Sequence, residues 1–521
     1  MNQQDPGAAP DSGIQQPPRT LGQTLLRLGP GIIIAGSIVG SGELVATTKA
    51  GAEAGFWLLW LIIGGCLIKV FAQVEFGRHA IVHGRTPLDA LNGVPGPRRR
   101  VNWLIWYWAA MELLIVTQQG GILGGVGQVL AIARPLTTQG VAYNRWQDEI
   151  VEAKVELALA TRRAAPPGEA ALLQARVAAL SIGQAAASSD QYLWAALVAA
   201  GTATLLFFGR YGLIQAFSLV LVVGFTVVTV ITVILLQAKP EWAVTRQELV
   251  TGLSLRLPPV VETLRQNPLA TALAAFGIIG VGGSELIMYP YWCIEKGYAR
   301  FTGPREDSPQ WIARARGWLR VLHVDAWLAM IVYTFATLAF YLLGAAVLGR
   351  ARLNPEGADM VRTLAQMYVP VFGPWAHGVF LFGAFAVLYS TLFVAAAGNS
   401  RMIADGLGLF GLHDRSEATR ARWTRAISTV WPLVALVLYV FVRAPAAMIL
   451  ASGVAQAIIL PMLGYAVLYF RYRQSHPSLR PGPLWDLMLW LSFAGFLLAS
   501  GYLVWEKLAP LLAAILASLG P

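Results

Sequence analysis

Gly36-Ser37-Ile38-Val39-Gly40-Ser41-Gly42-Glu43-Leu44 lies inside one long apolar stretch, and Gly280-Val281-Gly282-Gly283-Ser284-Glu285-Leu286 lies inside another, far along the chain. Val-Gly-Ser-Gly-Glu-Leu in the first is answered by Val-Gly-Gly-Ser-Glu-Leu in the second. A glycine in a helix interior costs about 1 kcal/mol relative to alanine. In a bilayer, clustered glycines invite unwinding, which is tolerated only where the backbone is buried in protein or lines a cavity. Gly36 and Gly40 also have the spacing of a small-residue packing face, but packing leaves the shared Glu-Leu ending unexplained. The pair therefore reads as two broken helices in corresponding positions, the arrangement that marks a transporter's binding site near the midplane. The expected breaks fall near Gly40–Gly42 and Gly282–Ser284 and face one another.

Outward from these stretches the chain is apolar almost throughout. Of its 521 residues, 56% are hydrophobic and 13% charged, about half the charged share of a soluble domain. Stretches of membrane-crossing length, roughly 20 residues or more, fall at 24–51, 54–80, 102–133, 192–209, 212–237, 268–299, 321–349, 372–404, 422–442, 444–470 and 484–508. The short alternating segments of a membrane barrel are not found. A soluble globular chain is excluded, and the reading is an all-α polytopic membrane protein of about eleven transmembrane helices. With a break opening each half, the expected organisation is a disordered, cytoplasmic N-terminus (1–20), a first inverted repeat of five spans (21–237), a second of five spans (268–470) and one extra span (484–508).

Arginine placement sets the expected orientation. Arg78, Arg85, Arg98, Arg99, Arg100, Arg300, Arg305, Arg314, Arg316, Arg320, Arg415, Arg420, Arg422, Arg425, Arg471, Arg473 and Arg480 share one side, whereas Arg350, Arg352, Arg362 and Arg443 lie on the other. The richer side is read as the cytoplasm of a bacterial-type inner membrane, with the N-terminus inside and the C-terminus outside. The net charge of +11 is thus a topology signal rather than a nucleic-acid footprint. Residues 135–191 form an expected external insertion with helices at 146–163 and 169–180, split by Ala165-Pro166-Pro167. A solvated hairpin is the plain reading of its mixed charges, and a partner-docking role the alternative. Cys66 and Cys293 lie in apolar spans and read as small core residues. No nucleophile–base set or phosphate loop is present, so no enzyme activity, cofactor or nucleic-acid partner is expected.

Gly29-Pro30-Gly31 and Ala50-Gly51-Ala52-Glu53-Ala54-Gly55-Phe56-Trp57-Leu58-Leu59-Trp60 are similar to the opening of Nramp-family metal-ion transporters. Gln73 with His83-Gly84-Arg85, Glu112-Leu113 and Leu460-Pro461 extend the resemblance over nearly the whole membrane part, the 135–191 insertion excepted. The resemblance implies the leucine-transporter fold, two inverted five-helix repeats plus an added span. The family's functional motifs depart here. Its first-span Asp-Pro-Gly-Asn falls on Gly40-Ser41-Gly42-Glu43, and its sixth-span Met-Pro-His on Ser284-Glu285-Leu286, which removes the thioether that selects transition metals. Its third-span acidic pair falls on Gln119 and Ile122, and its tenth-span Gln on Gly453. Metal transport is therefore not carried over from the resemblance.

Small residues at an unwound point expose backbone N–H groups, and the following half-helix presents its positive end, a geometry that attracts an anion. Gly36-Ser37-Ile38-Val39-Gly40-Ser41-Gly42 also resembles the run by which amino-acid permeases of the same fold hold a substrate carboxylate. The expected substrate site comprises Gly40, Ser41, Gly42, Glu43, Gly282, Gly283, Ser284 and Glu285. Glu43 and Glu285 have three open roles: capping the half-helices, carrying a coupling proton, or ligating a hard cation such as Mg²⁺. Glu43, Glu285, Lys49 and Glu112 are the charge and coupling candidates. Lys49 is expected to reach the outer interface, and Lys69 and Glu75 to pair or reach the cytoplasmic one. His79, His83 and His323 lack a paired metal spacing, so no resident metal site is expected. Tyr289, Pro290, Tyr291 and Trp292 read as packing residues. The leading expectation is a secondary transporter of a small anion, bicarbonate or a small carboxylate, with H⁺ or Na⁺ as coupling partner. A divalent-cation transporter using Glu43 and Glu285 is the alternative.

Overall fold

The computed structural model describes residues 13–163, 165–182, 188–208, 211–259 and 267–518. Helix dominates them, and the exception is a two-residue antiparallel pair, Arg98–Arg99 with Val101–Asn102, turned at Arg100 with φ 68°. Eight helical stretches are long and apolar enough to cross a bilayer: Leu59–His83, Trp103–Ala133, Pro268–Glu295, Pro309–Gly349, Ala376–Leu409, Glu417–Val442, Pro445–Gln474 and Pro483–Glu506. The interrupted first span, Asp190–Phe207 and Tyr211–Leu236 bring the set to eleven. The architecture is an all-α polytopic membrane fold of the leucine-transporter type.

Local chemistry explains where the spans begin and end. Asn102, Asn267, Ser308 and Ser416 each accept a backbone N–H from the first turn of the helix that follows, which satisfies a donor with no intrahelical partner. Pro268 and Pro309 stand where a missing N–H costs nothing. The seventh span therefore starts at Pro309 rather than near Val321, its first turns carrying the arginines expected in a loop. Gly84, at φ 64°, closes Leu59–His83.

The two interrupted spans lie at the centre. Residues 42–47, 271–278 and 283–293 are buried throughout. Pro268–Ile278 packs on Pro445–Tyr469 through Gly277 and Gly453, whose backbones are in direct contact: a Cβ at Gly277 would lie 2.7 Å from the Ala457 nitrogen. Gly453, the position matched to the family's ligand-site Gln, is thus a packing residue.

Two peripheral segments depart from expectation. The insertion forms longer helices, Thr138–Arg162 and Pro167–Ile182, packed on one another. It is clamped to the membrane part by Asp190, which accepts from Leu136 N (2.7 Å), Thr137 N (3.2 Å) and Thr137 Oγ1 (2.8 Å), and by Arg362 to Asp148 (2.8 Å). Residues 13–20, expected to be disordered, lie against the arginine-rich side: Gln15 N donates to the Phe301 carbonyl (3.0 Å), and Trp318 Nε1 donates to that of Gln15 (3.0 Å). Residues 1–12 lie outside the described residues.

Candidate functional site

The first break separates Pro30–Ile38 from a wide π-helical turn, Gly42–Thr47, leaving Val39, Gly40 and Ser41 between them. Such π turns recur at functional sites. The second separates Pro268–Ile278 from Gly283–Glu295. Ile279 is extended, and Gly280 takes φ 56°, a conformation that glycine adopts without strain. The unwound residues are therefore 279–282, slightly upstream of the expected Gly282–Ser284. Gly283, Ser284 and Glu285 form the first turn of the following half-helix.

The breaks face one another, and Glu43 joins them. Its Oε2 accepts from Gly40 N (3.4 Å), while its Oε1 accepts from Gly280 N (3.3 Å) and Thr337 Oγ1 (3.2 Å). Two of the backbone amides at the breaks, those of Gly40 and Gly280, are thus taken by the chain's own carboxylate. Glycines in the two breaks give no free approach either. A Cβ at Gly40 would collide with Thr391; one at Gly42 would lie 3.2 Å from the Ile278 carbonyl; one at Gly283 would lie 2.6 Å from Ile459 Cγ2 and 2.8 Å from the Gln456 carbonyl. At each of these positions the nearest atoms include carbon or a single carbonyl rather than a set of converging oxygens.

Gly282 differs. The place its missing Cβ would take is approached by Glu285 Oε2, by Gln456 Oε1 at 2.7 Å and by the Gly277 carbonyl at 3.1 Å. A carboxylate, an amide and a backbone carbonyl therefore converge on one small niche. Glu285 Oε2 is buried with no hydrogen-bond partner among the described residues, a costly state unless a ligand or proton meets it.

A polar chain wraps this niche. Gln118 Nε2 donates to Ser41 Oγ (3.1 Å); Gln118 Oε1 accepts from Ser452 Oγ (3.1 Å) and Gln456 Nε2 (2.7 Å). Gln456 Oε1 accepts from Ser284 N (3.1 Å), and Ser284 Oγ donates to Asn399 Oδ1 (3.4 Å). Gln118, Asn399, Ser452, Gln456 and Thr337 were not singled out from sequence. Ser452 and Gln456, four apart in an otherwise apolar span, were the available signal, since that spacing places both on one helix face.

Lys69 was expected to pair or reach an interface, and it does neither. Its ammonium is fully buried beside the second break and donates to the carbonyls of Phe276 and, at 2.8 Å, Ile279. Glu75 pairs instead with Arg78 (3.0 Å) and accepts from Trp485 Nε1 (2.8 Å). Glu112 is buried, and both its carboxylate oxygens lack a partner among the described residues. Lys49 is not part of the site and does not reach solvent: it is 1% exposed, paired with Glu53 (2.9 Å) and Glu356, and bonded to Asn354 Oδ1 (2.7 Å). Tyr289, Tyr291 and Trp292 are buried, the two tyrosine hydroxyls donating to Asp325 (2.9 Å) and Asp405 (2.6 Å).

Two cavities flank the centre. One of about 450 Å³ lies toward the arginine-rich side, lined by Tyr291, Glu295, Arg401, Arg420 and Arg425 among others. The other, about 660 Å³, lies toward the opposite side near Glu53, Phe56, Glu248 and Arg350. No residue of either break lines them.

Residues 154–506, more than half of the chain, match the family model described as natural resistance-associated macrophage protein-like, Nramp. The chain belongs to the Nramp family. Nramp proteins are transporters, and the long apolar helices of this chain are those of a multi-pass membrane protein; the chain spans about a fifth of the length of the curated relatives it matches. Over 99 residues it is 28% identical to the divalent metal cation transporter MntH of Mycobacterium tuberculosis, a match covering 19% of this chain and 22% of that relative. A variant of the Eremococcus coleocola manganese transporter shares its fold with TM-score 0.56 at 15% identity, covering 94% of this chain and 88% of that one. MhsT in complex with L-phenylalanine does so with TM-score 0.50 at 15% identity, covering 93% and 98%. At such identities the Nramp chain shares the fold of these structures, and the substrate must be argued from its own residues.

Proposed function

We propose that this Nramp-family chain carries a hard divalent cation of the Mg²⁺ or Mn²⁺ type, held at the niche beside Gly282. The reading is carried by one observation: three oxygens of different kinds, one of them the partnerless Glu285 Oε2, converge where a Cβ is missing. Carboxylate, amide and backbone carbonyl oxygens are the ligands hard cations take, and the absence of a thioether there disfavours softer metals. Charge supports it. Near the breaks the buried carboxyl groups of Glu43, Glu285 and Glu112 outnumber the one buried ammonium of Lys69, and buried ionisable groups in a membrane protein mark ion pathways. The relatives the chain resembles, a divalent metal cation transporter and a manganese transporter, point the same way.

In this reading Glu43 ties the two breaks together and Glu285 is the ligand. The two inverted repeats, 21–237 and 268–470, rock about the niche so that it meets the two flanking cavities in turn. The arginine-rich side is cytoplasmic and the membrane a bacterial inner one. The test is uptake by proteoliposomes of Mg²⁺, Mn²⁺ and bicarbonate. Saturable divalent uptake is expected, lost in Gly282→Ala, whose methyl fills the niche while the backbone (φ −68°) accepts alanine. Saturable bicarbonate uptake without divalent uptake would overturn the proposal and restore the small-anion reading.

A further inference from the structure

Lys69 lies beside the second break, and the transport reading gives it no contact with the cation. Its helix, Leu59–His83, is anchored at the centre of the fold, and the side chain reaches the end of Pro268–Ile278. The last carbonyls of a helix have no intrahelical partner and carry its partial negative charge. Here the ammonium meets the Phe276 and Ile279 carbonyls and sits 4.4 Å from the centre of the Phe276 ring, whose face also favours a cation. In transporters with broken helices, unwound carbonyls at a half-helix end are where a dissolved monovalent cation binds.

We infer that Lys69 fills a monovalent-cation site with a covalently tethered ammonium, so that the chain completes its cycle without Na⁺ or another dissolved monovalent cation. The inference rests on the two breaks being the transport site. It makes Lys69 a positioning residue: its charge holds the end of Pro268–Ile278 in place and offsets part of the negative charge at the breaks. Removing the side chain opens a pocket for a free cation of the same kind, Na⁺ or a small alkylammonium.

Thermal melting of the purified full chain tests this, with choline, sodium, potassium or methylammonium chloride at equal ionic strength. The unaltered protein is expected to melt at one temperature in all four, because its site is filled. Lys69→Ala is expected to melt lower in choline and to recover by several degrees, saturably, in methylammonium or sodium, because a ligand that binds only the folded state raises its stability. Lys69→Met, which refills the space without charge, is expected to show no recovery. Lys69→Ser is carried through the same series, in case the alanine variant does not fold. Equal melting of folded Lys69→Ala or Lys69→Ser in all four salts would sink the inference. So would specific stabilisation of the unaltered protein by sodium, or failure of both variants to fold in every salt. No divalent ion enters this measurement, so its outcome is separate from that of the uptake assay.

Discussion

The two breaks carry nearly the same residues and treat them differently. Gly40-Ser41-Gly42-Glu43 and Gly282-Gly283-Ser284-Glu285 run in parallel along the sequence, yet Glu43 accepts three hydrogen bonds whereas Glu285 Oε2 accepts none. The cause is in the neighbours. Above Glu43 stand a hydroxyl, Thr337 Oγ1, and the freed amide of Gly280; beside Glu285 stand the oxygens of Gln456 and Gly277. Donors turn one carboxylate into a brace, and acceptors leave an oxygen of the other without a hydrogen-bond partner, which the proposed function gives to a cation. A repeated motif is therefore a repeated backbone device, with chemistry assigned afterwards by whatever packs against it.

The most damaging way to break this contrast is Glu43→Ala. It strands two buried N–H groups, at a cost of about 1–3 kcal/mol each. The expected outcome is a much lower melting temperature of the purified protein, whereas Glu285→Ala melts close to the unaltered chain. If Glu285→Ala proves the more destabilising of the two, the roles assigned here are reversed.

Gly283→Val sharpens the comparison from the packing side. Its Cβ meets Ile459 and the Gln456 carbonyl, so overpacking of about 1–3 kcal/mol is expected. Gly36, with nothing within 4 Å of its Cβ position, should accept alanine with little change in melting temperature. Glu285→Gln, which keeps the shape and removes the charge, should weaken divalent binding by roughly tenfold or more, about 1.4 kcal/mol, while leaving the fold intact. Unchanged divalent affinity in a calorimetric titration would remove Glu285 from the ligand set. The smallest effect is expected at the outer edge. Glu356 is half-exposed, and Glu356→Ala should cost less than about 1 kcal/mol, the range of surface ion pairs. Lys49→Met should cost more, because it strands the buried Glu53 carboxylate.

Much of this was legible in the residues. The span positions, the two interruptions and the acids closing each run are local features. The partners around them were harder to read. The family's motifs fall on Gln119 and Gly453 in this sequence, whereas the polar side chains bonded around Ser41 and Ser284 are Gln118 and Gln456. One step along a helix turns a side chain by about 100°, so Gln118 and its neighbour Gln119 face differently, and Gln456 lies almost a full turn beyond Gly453. Lys69 was misread for a related reason: a lysine in an apolar span usually reaches an interface, and only the carbonyls of a distant break make the buried position tenable.

Run length and glycine clustering were enough to establish an all-α membrane protein with two facing breaks. In a bilayer every backbone group must be satisfied within the chain, so the places where a helix can fail are written in local composition. Which carboxylate braces, which one stays open, and where the buried ammonium rests were decided by tertiary structure alone. Glu43 finds Gly280 and Thr337, and Lys69 finds Phe276 and Ile279, across separations of more than two hundred residues. A buried polar group takes its role from the donors and acceptors packed around it.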